Sequence, residues 1–88
     1  MYTVFVSATF QKQFKTLQND LQKRIKSVLK KLEENPFQPR PGADIIVLTG
    51  TTPQKHRLRI GDYRIIYLTE DKNVKVIEVF RRSRGYRR

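Results

Sequence analysis

Arginine and lysine at alternate positions are where the types and spacing of residues in this chain first point to chemistry. Lys55, Arg57 and Arg59 stand two apart, with His56, Leu58 and Ile60 between them. Alternation of this kind marks a strand with one face apolar and the other cationic. Gly61-Asp62 follows as a two-residue hairpin turn, Gly at its first position able to take positive φ, and Tyr63-Arg64-Ile65-Ile66-Tyr67-Leu68 returns as the partner strand. In that register Ile60 faces Tyr63, Arg59 faces Arg64 and Leu58 faces Ile65. Like charges directly opposite each other destabilise a sheet unless an anion sits over them. Lys55, Arg57, Arg59 and Arg64 thus gather on one face while Leu58, Ile60 and Ile65 turn to the core. A phosphate is the natural occupant, because the guanidinium fork matches its oxygens. A merely solvated face would mix signs, and this run of residues does not.

Other candidates are fewer. His56 is the only histidine and falls on the core side with Leu58, as a core residue with a satisfied hydrogen bond would; a catalytic role requires the register to slip by one. Tyr2 and Tyr63 are expected to pack, and Tyr67 fits either role. The tail Arg81-Arg82-Ser83-Arg84-Gly85-Tyr86-Arg87-Arg88 sets an aromatic among arginines, which can stack on a base, although a frayed terminus reads the same way. With no cysteine there is no thiol nucleophile, thiolate zinc site or disulfide framework. Asp62, Glu70, Asp71 and Glu78 show no metal-ligand spacing, and glycine-rich phosphate loops are absent, so no cofactor is expected.

These residues need a scaffold. Tyr2 to Val6 reads as a first strand, ending at Ser7 and Thr9, either of which can cap a helix. Phe10, Phe14, Leu17, Leu21, Ile25, Val28, Leu29 and Leu32 then trace one helical face. Asn19-Asp20 interrupts it, which predicts a short helix to about Gln18 and a longer one from Leu21 to Glu34, joined as an antiparallel hairpin or as one bent helix. Asn35-Pro36 stops the second helix. A loop with Pro36, Pro39, Pro41 and Gly42 follows, and Ile45 to Thr49 fits a short strand or a buried loop. Gln54–Ile60, Tyr63–Leu68 and Val74–Phe80 make a three-stranded antiparallel meander. The order predicts a single α+β domain over residues 1–88, with the helices packed on one sheet face and the other face open.

Composition narrows the partners. The chain of 88 residues has 19 Lys+Arg against 8 Asp+Glu, a net charge of +11. Residues 1–44 contribute +4 and residues 45–88 contribute +7, and Arg supplies 8 of the 11 cations in the second half. Such a field attracts nucleic acid ahead of an anionic membrane surface. The longest aliphatic run, Ile45-Ile46-Val47-Leu48, is far short of a membrane span, so a soluble, cytoplasmic protein is expected.

The segment from Lys55 to Tyr67, with alternating basic and aliphatic residues, a Gly turn and then Tyr-Arg-aliphatic-aliphatic-Tyr, closely resembles the RelE/ParE superfamily of type II toxin–antitoxin toxins. The resemblance extends over nearly the whole chain, through the strand, helix hairpin and three-strand order, Leu48-Thr49-Gly50, and the basic cluster after the last strand. Two branches differ in activity: RelE-like members resemble microbial RNases and cut mRNA in the ribosomal A site, whereas ParE-like members inhibit DNA gyrase by binding. Arg57 and Arg59, Arg64, Arg82 and Tyr86 each match a position of the RelE branch, which favours a ribosome-dependent, metal-independent mRNA interferase.

What the resemblance implies for the site is specific. Arg59, Arg64, Arg82, Tyr86 and Lys55 form the catalytic set, and Arg57, Arg81 and Arg84 the substrate-binding set. The substrate's own 2′-hydroxyl attacks the adjacent phosphate, Arg64 and Arg82 stabilise the developing charge, and Tyr86 orients a base. Strand positions that are often Lys in the family are Arg here, and Arg is a poor proton acceptor, so Lys55 and Tyr86 are the candidates for general base. The implied partners are the ribosome, its mRNA and a RelB-like antitoxin with an acidic segment that orders on binding. A gyrase inhibitor and a non-catalytic RNA-binding module whose Arg-rich tail does the binding are the competing readings.

Overall fold

Ser7 couples the first helix to the sheet. Its hydroxyl accepts from the Phe10 N–H at 2.9 Å, capping the helix, and donates to the Ile77 carbonyl; its own N–H donates to the Val76 carbonyl at 2.9 Å. A computed structural model describes residues 1–37, 44–48, 50 and 52–82 of the chain. β1 spans Thr3–Val6, α1 Ala8–Lys15 and α2 Asn19–Glu34. The interruption in the helical pattern is therefore real, and the hairpin is the form it takes. The break lies at Thr16–Gln18, earlier than Asn19-Asp20 implies. Gln18 stands at the cap with no side-chain cap bond, while Asn19 and Asp20 lie in the first turn of α2. The Gln22 amide reaches back instead to the Phe14 and Leu17 carbonyls at 2.9 and 3.1 Å, closing the end of α1. Thr16 closes the same end by donating to the Gln13 carbonyl at 2.7 Å.

Asn35 ends α2 in extended backbone at φ −156°, as the following Pro requires. The chain then enters β2, Asp44–Leu48, which resolves the Ile45 to Thr49 segment as a strand over its described part. β3 is Gln54–Ile60, β4 Tyr63–Glu70 and β5 Asn73–Arg81. Five strands lie in the order β1-β5-β4-β3-β2. β2 to β5 are antiparallel neighbours, one strand more than the expected meander, and β5 closes on β1 in parallel. Gly61 takes φ +56° at the β3–β4 turn, the conformation that glycine adopts without steric cost.

The core is one layer of helix against one face of sheet. Phe10, Ile25, Val28 and Leu32 from the helices meet Leu58, Ile60, Ile65, Tyr67, Val74, Val76 and Val79 from the strands, all buried. His56 is fully buried with them, as the alternation in β3 requires. It stacks on Tyr67 at 4.8 Å, and its Nε2 pairs with the Thr69 hydroxyl at 2.9 Å. Only one of its nitrogens is satisfied, because Nδ1 is buried without a partner. Burial lowers its pKa below the ordinary imidazole value, since desolvation penalises the charged ring. Tyr67, fully buried, donates to the Pro36 carbonyl, so it packs and pins the end of α2.

A β-bulge lies between β4 and β5. Tyr67 pairs with Val76 and Ile66 with Glu78, leaving Ile77 as the extra residue. The bulge resets the alternation: Val76 and Val79 are both buried, three positions apart instead of two or four. Past it, odd-numbered residues of β5 face the helices and even-numbered ones face the open side.

Candidate nucleic-acid interface

Register assigns the open face residue by residue. One cross-strand row runs Asp44, Arg59, Arg64, Phe80; the next Ile46, Arg57, Ile66, Glu78; the next Leu48, Lys55, Leu68, Lys75. Arg59 and Arg64 are directly opposite, as the two-residue turn implies, and Lys55, Arg57, Arg59 and Arg64 share one face. The expectation of a face of a single sign is corrected by the structure. Asp44 and Glu78 belong to it, and Asp44 bridges Arg59 Nη2 at 2.5 Å. Alternating apolar residues between the cations also make this face half-buried rather than fully solvated.

Its two facing arginines differ sharply. The side chain of Arg59 is 56% exposed, whereas Arg64 as a residue is only 7% exposed. The Arg64 guanidinium turns back to the hairpin, where Nη1 donates to the Gly61 carbonyl at 3.3 Å and the Tyr63 carbonyl at 3.2 Å. No carboxylate neutralises it: the ion pairs among the described residues are Arg59–Asp44 and Lys75–Glu70. A buried, charged, backbone-anchored guanidinium is a preorganised electrostatic element, costly to hold without an anion and effective once one arrives.

The remaining sequence candidates divide between the two faces. Lys55 and Arg57 are half-buried on the open face. Arg81 stands opposite Tyr63 with its guanidinium carbon 5.8 Å from the ring centre, on the helix side, and so does not join Arg57. Arg82 follows the end of β5, is exposed, and donates its N–H to the Asp62 carbonyl at 2.7 Å. Arg84 and Tyr86 lie outside the described residues. Sequence reasoning missed Asp44, which becomes visible once Asp44-Ile45-Ile46-Val47-Leu48 is read as an edge strand paired with β3. Among the described residues no three His, Asp or Glu stand together as a metal site needs, and no helix is long and apolar enough to cross a membrane.

A two-helix layer on one face of a mixed five-stranded sheet is the RelE-like toxin fold. The match is broad: the family described as the ParE toxin of type II toxin–antitoxin system, parDE, matches residues 4–86, and the chain belongs to it, within the RelE/ParE superfamily. Among solved structures it is similar to the archaeal RelE–RelB complex of Pyrococcus horikoshii, at 32% identity over 94% of this chain and 97% of that one, with a TM-score of 0.83. The RelB–RelE antitoxin–toxin complex of Methanococcus jannaschii is 23% identical over 94% and 95%, with a TM-score of 0.78. The Escherichia coli DinJ–YafQ complex is 16% identical over 98% and 99%, with a TM-score of 0.79. No curated protein sequence matches.

Proposed function

We propose that the chain is a toxin acting in the cytoplasm as a ribosome-dependent endoribonuclease that cuts mRNA in the A site without a metal. The observation that carries the proposal is Arg64, held at 7% exposure opposite Arg59 on the open face, with no carboxylate among the described residues paired to it. In the reaction the 2′-oxygen bonds to phosphorus, the bond from phosphorus to the 5′-oxygen breaks, and the products are a 2′,3′-cyclic phosphate and a 5′-hydroxyl. Arg64 and Arg82 stabilise the charge that develops on the non-bridging oxygens. Arg59, released from Asp44, and Arg57 hold the flanking backbone. Lys55, on the same face, takes the 2′ proton, with Tyr86 as the alternative base, and the leaving oxygen regains a proton. Arg84 extends the phosphate track. Lysine and tyrosine side chains are in general protonated at neutral pH, so a site that draws its base from these types depends on the ribosome to hold the mRNA in line for attack.

Its partner is a RelB-like antitoxin. The archaeal RelE similar to this chain is bound to RelB, and a net charge of +11 favours an acidic segment laid over the open face. The name of the matching family supports a second reading, inhibition of DNA gyrase by binding. Ribosomes programmed with a defined mRNA and an empty A site separate the two. Primer extension should show cleavage at the A-site codon that disappears with Arg82→Ala. Intact mRNA beside inhibited gyrase supercoiling would replace the RNase reading with the second one.

A further inference from the structure

On the helix side of the sheet, where α1 ends and β5 runs past the end of β1, a cleft of about 380 Å³ is lined by Lys12, Gln13, Thr16, Leu17, Tyr63 and Arg81 among others. We propose that this cleft binds a nucleotide of single-stranded RNA flanking the one held on the open face. The inference rests on the RNA reading above and adds a second contact site to it.

Three features carry it. First, the bulge turns Arg81 to the helix side, opposite Tyr63, while Arg64 in the next row stays on the open face. One phosphate backbone crossing the edge of β5 therefore meets a cation on each side. Second, Arg81 is not a loose surface charge: its guanidinium lies 5.8 Å from the centre of the Tyr63 ring, within the range of a cation–π contact. A guanidinium positioned beside an aromatic ring offers a planar, charged surface on which an unpaired base stacks. Third, the cleft is built around a positioned amide. Gln13 Oε1 accepts the Val79 N–H at 2.7 Å, which satisfies the edge of β5 beyond β1 and leaves the Gln13 Nε2 hydrogens to donate to a base or sugar. Arg82 N–H bonds Asp62 across the ladder, so the Arg81 N–H points away from β4, to the side on which β1 has already ended. Lys12, exposed in the last turn of α1, supplies the charge for the phosphate, and Leu17 with the Tyr63 ring supplies an apolar wall. Donors on one side and apolar surface on the other suit a nucleotide better than a free inorganic anion.

The test compares two uncleavable 2′-O-methyl RNAs, a dinucleotide that fits the open face alone and an oligonucleotide of about eight residues that spans both sites. Binding to the purified chain is read by fluorescence anisotropy across a salt series. Lys12→Ala should weaken the longer RNA roughly tenfold, as loss of one charge-assisted contact does, lower its salt slope by about 0.7, and change the dinucleotide little. Lys12→Arg should restore the longer RNA. Arg81→Lys, which keeps charge and loses the planar platform, should also weaken it. Lys30→Ala, removing an exposed cation elsewhere on α2, serves as the control for net charge. Equal effects of Lys12→Ala and Lys30→Ala, or equal effects on both RNAs, would overturn the proposal. A length-dependent loss beside an absence of ribosomal cleavage would sink the RNase reading and leave this site standing. Failure of the wild-type chain to bind the longer RNA more tightly than the dinucleotide would overturn this site, while ribosomal cleavage alone decides the RNase reading.

Discussion

Leu58 and Arg59 are neighbours on β3 that face opposite ways. Leu58 is fully buried against the helices, whereas Arg59 is more than half exposed and holds Asp44. The same contrast runs through β3, β4 and β5: one face is mainly aliphatic and aromatic and shares a core with α1 and α2, the other interleaves cations with half-exposed apolar residues. A sheet can do this because its side-chain period is two, so one backbone positions both a core and a reactive surface. Stability and activity should therefore separate by residue parity, and mutations on adjacent positions should have unrelated consequences.

The sharpest way to break that separation is to cross it. Arg64→Ala should reduce ribosomal mRNA cleavage by about 10²- to 10³-fold, the cost of removing one preorganised donor to a developing oxyanion. It should change unfolding free energy by less than about 1 kcal/mol, because the lost carbonyl bonds are offset by relief of the facing Arg59 charge. Leu58→Ala should do the reverse, lowering stability by about 2–5 kcal/mol through the cavity it leaves, with cleavage by the remaining folded protein little changed. Urea unfolding and primer extension on the same preparations check both. A large loss of stability in Arg64→Ala would make that arginine a structural residue of the hairpin and remove it from the chemistry.

Most of this division is readable without coordinates. The turn at Gly61-Asp62 sets a register that the structure reproduces pair by pair, because two-residue turns leave little freedom. The helical face, its interruption and the stop at Asn35-Pro36 are equally local. What is not local is less legible. Asp44 pairs with Arg59 only because β2 lies beside β3, a long-range choice that no short-range signal in Ile45 to Thr49 settles. The bulge at Ile77 is invisible in a run of alternating residues, yet it puts Arg81 on the face opposite to Arg64. The break between the helices shifts because Gln22 and Thr16, rather than Asn19, close the open backbone groups.

His56 tests the buried face from another direction. Its pKa is lowered in the fold by burial, so the native state takes up a proton less readily than the unfolded chain. As pH falls through the ordinary imidazole range near 6.5, the unfolded state binds more protons and stability declines, by at most about 1.4 kcal/mol per pH unit. Above that range both states are neutral and the dependence vanishes. Unfolding curves between about pH 5 and 8 should show this slope, and His56→Phe should flatten it. A slope that survives the substitution would assign it to other groups.

The smallest effect sharpens the contrast within the open face itself. Asp44 occupies a donor of Arg59 that a phosphate would otherwise use, so the wild-type face admits an anion there only by exchange, whereas Arg64 is paired with no carboxylate among the described residues. Both members of the Arg59–Asp44 pair are 56% exposed, and such a pair contributes about 0–1 kcal/mol. Asp44→Asn should therefore leave the unfolding transition almost in place, while RNA affinity rises a few-fold and its salt slope steepens by up to about 0.7, as one more cation becomes available to a phosphate. Arg59→Ala in the same background should erase the gain. If affinity rises but Arg59→Ala does not reverse it, Asp44 acts through the general field of the face rather than through the arginine it holds.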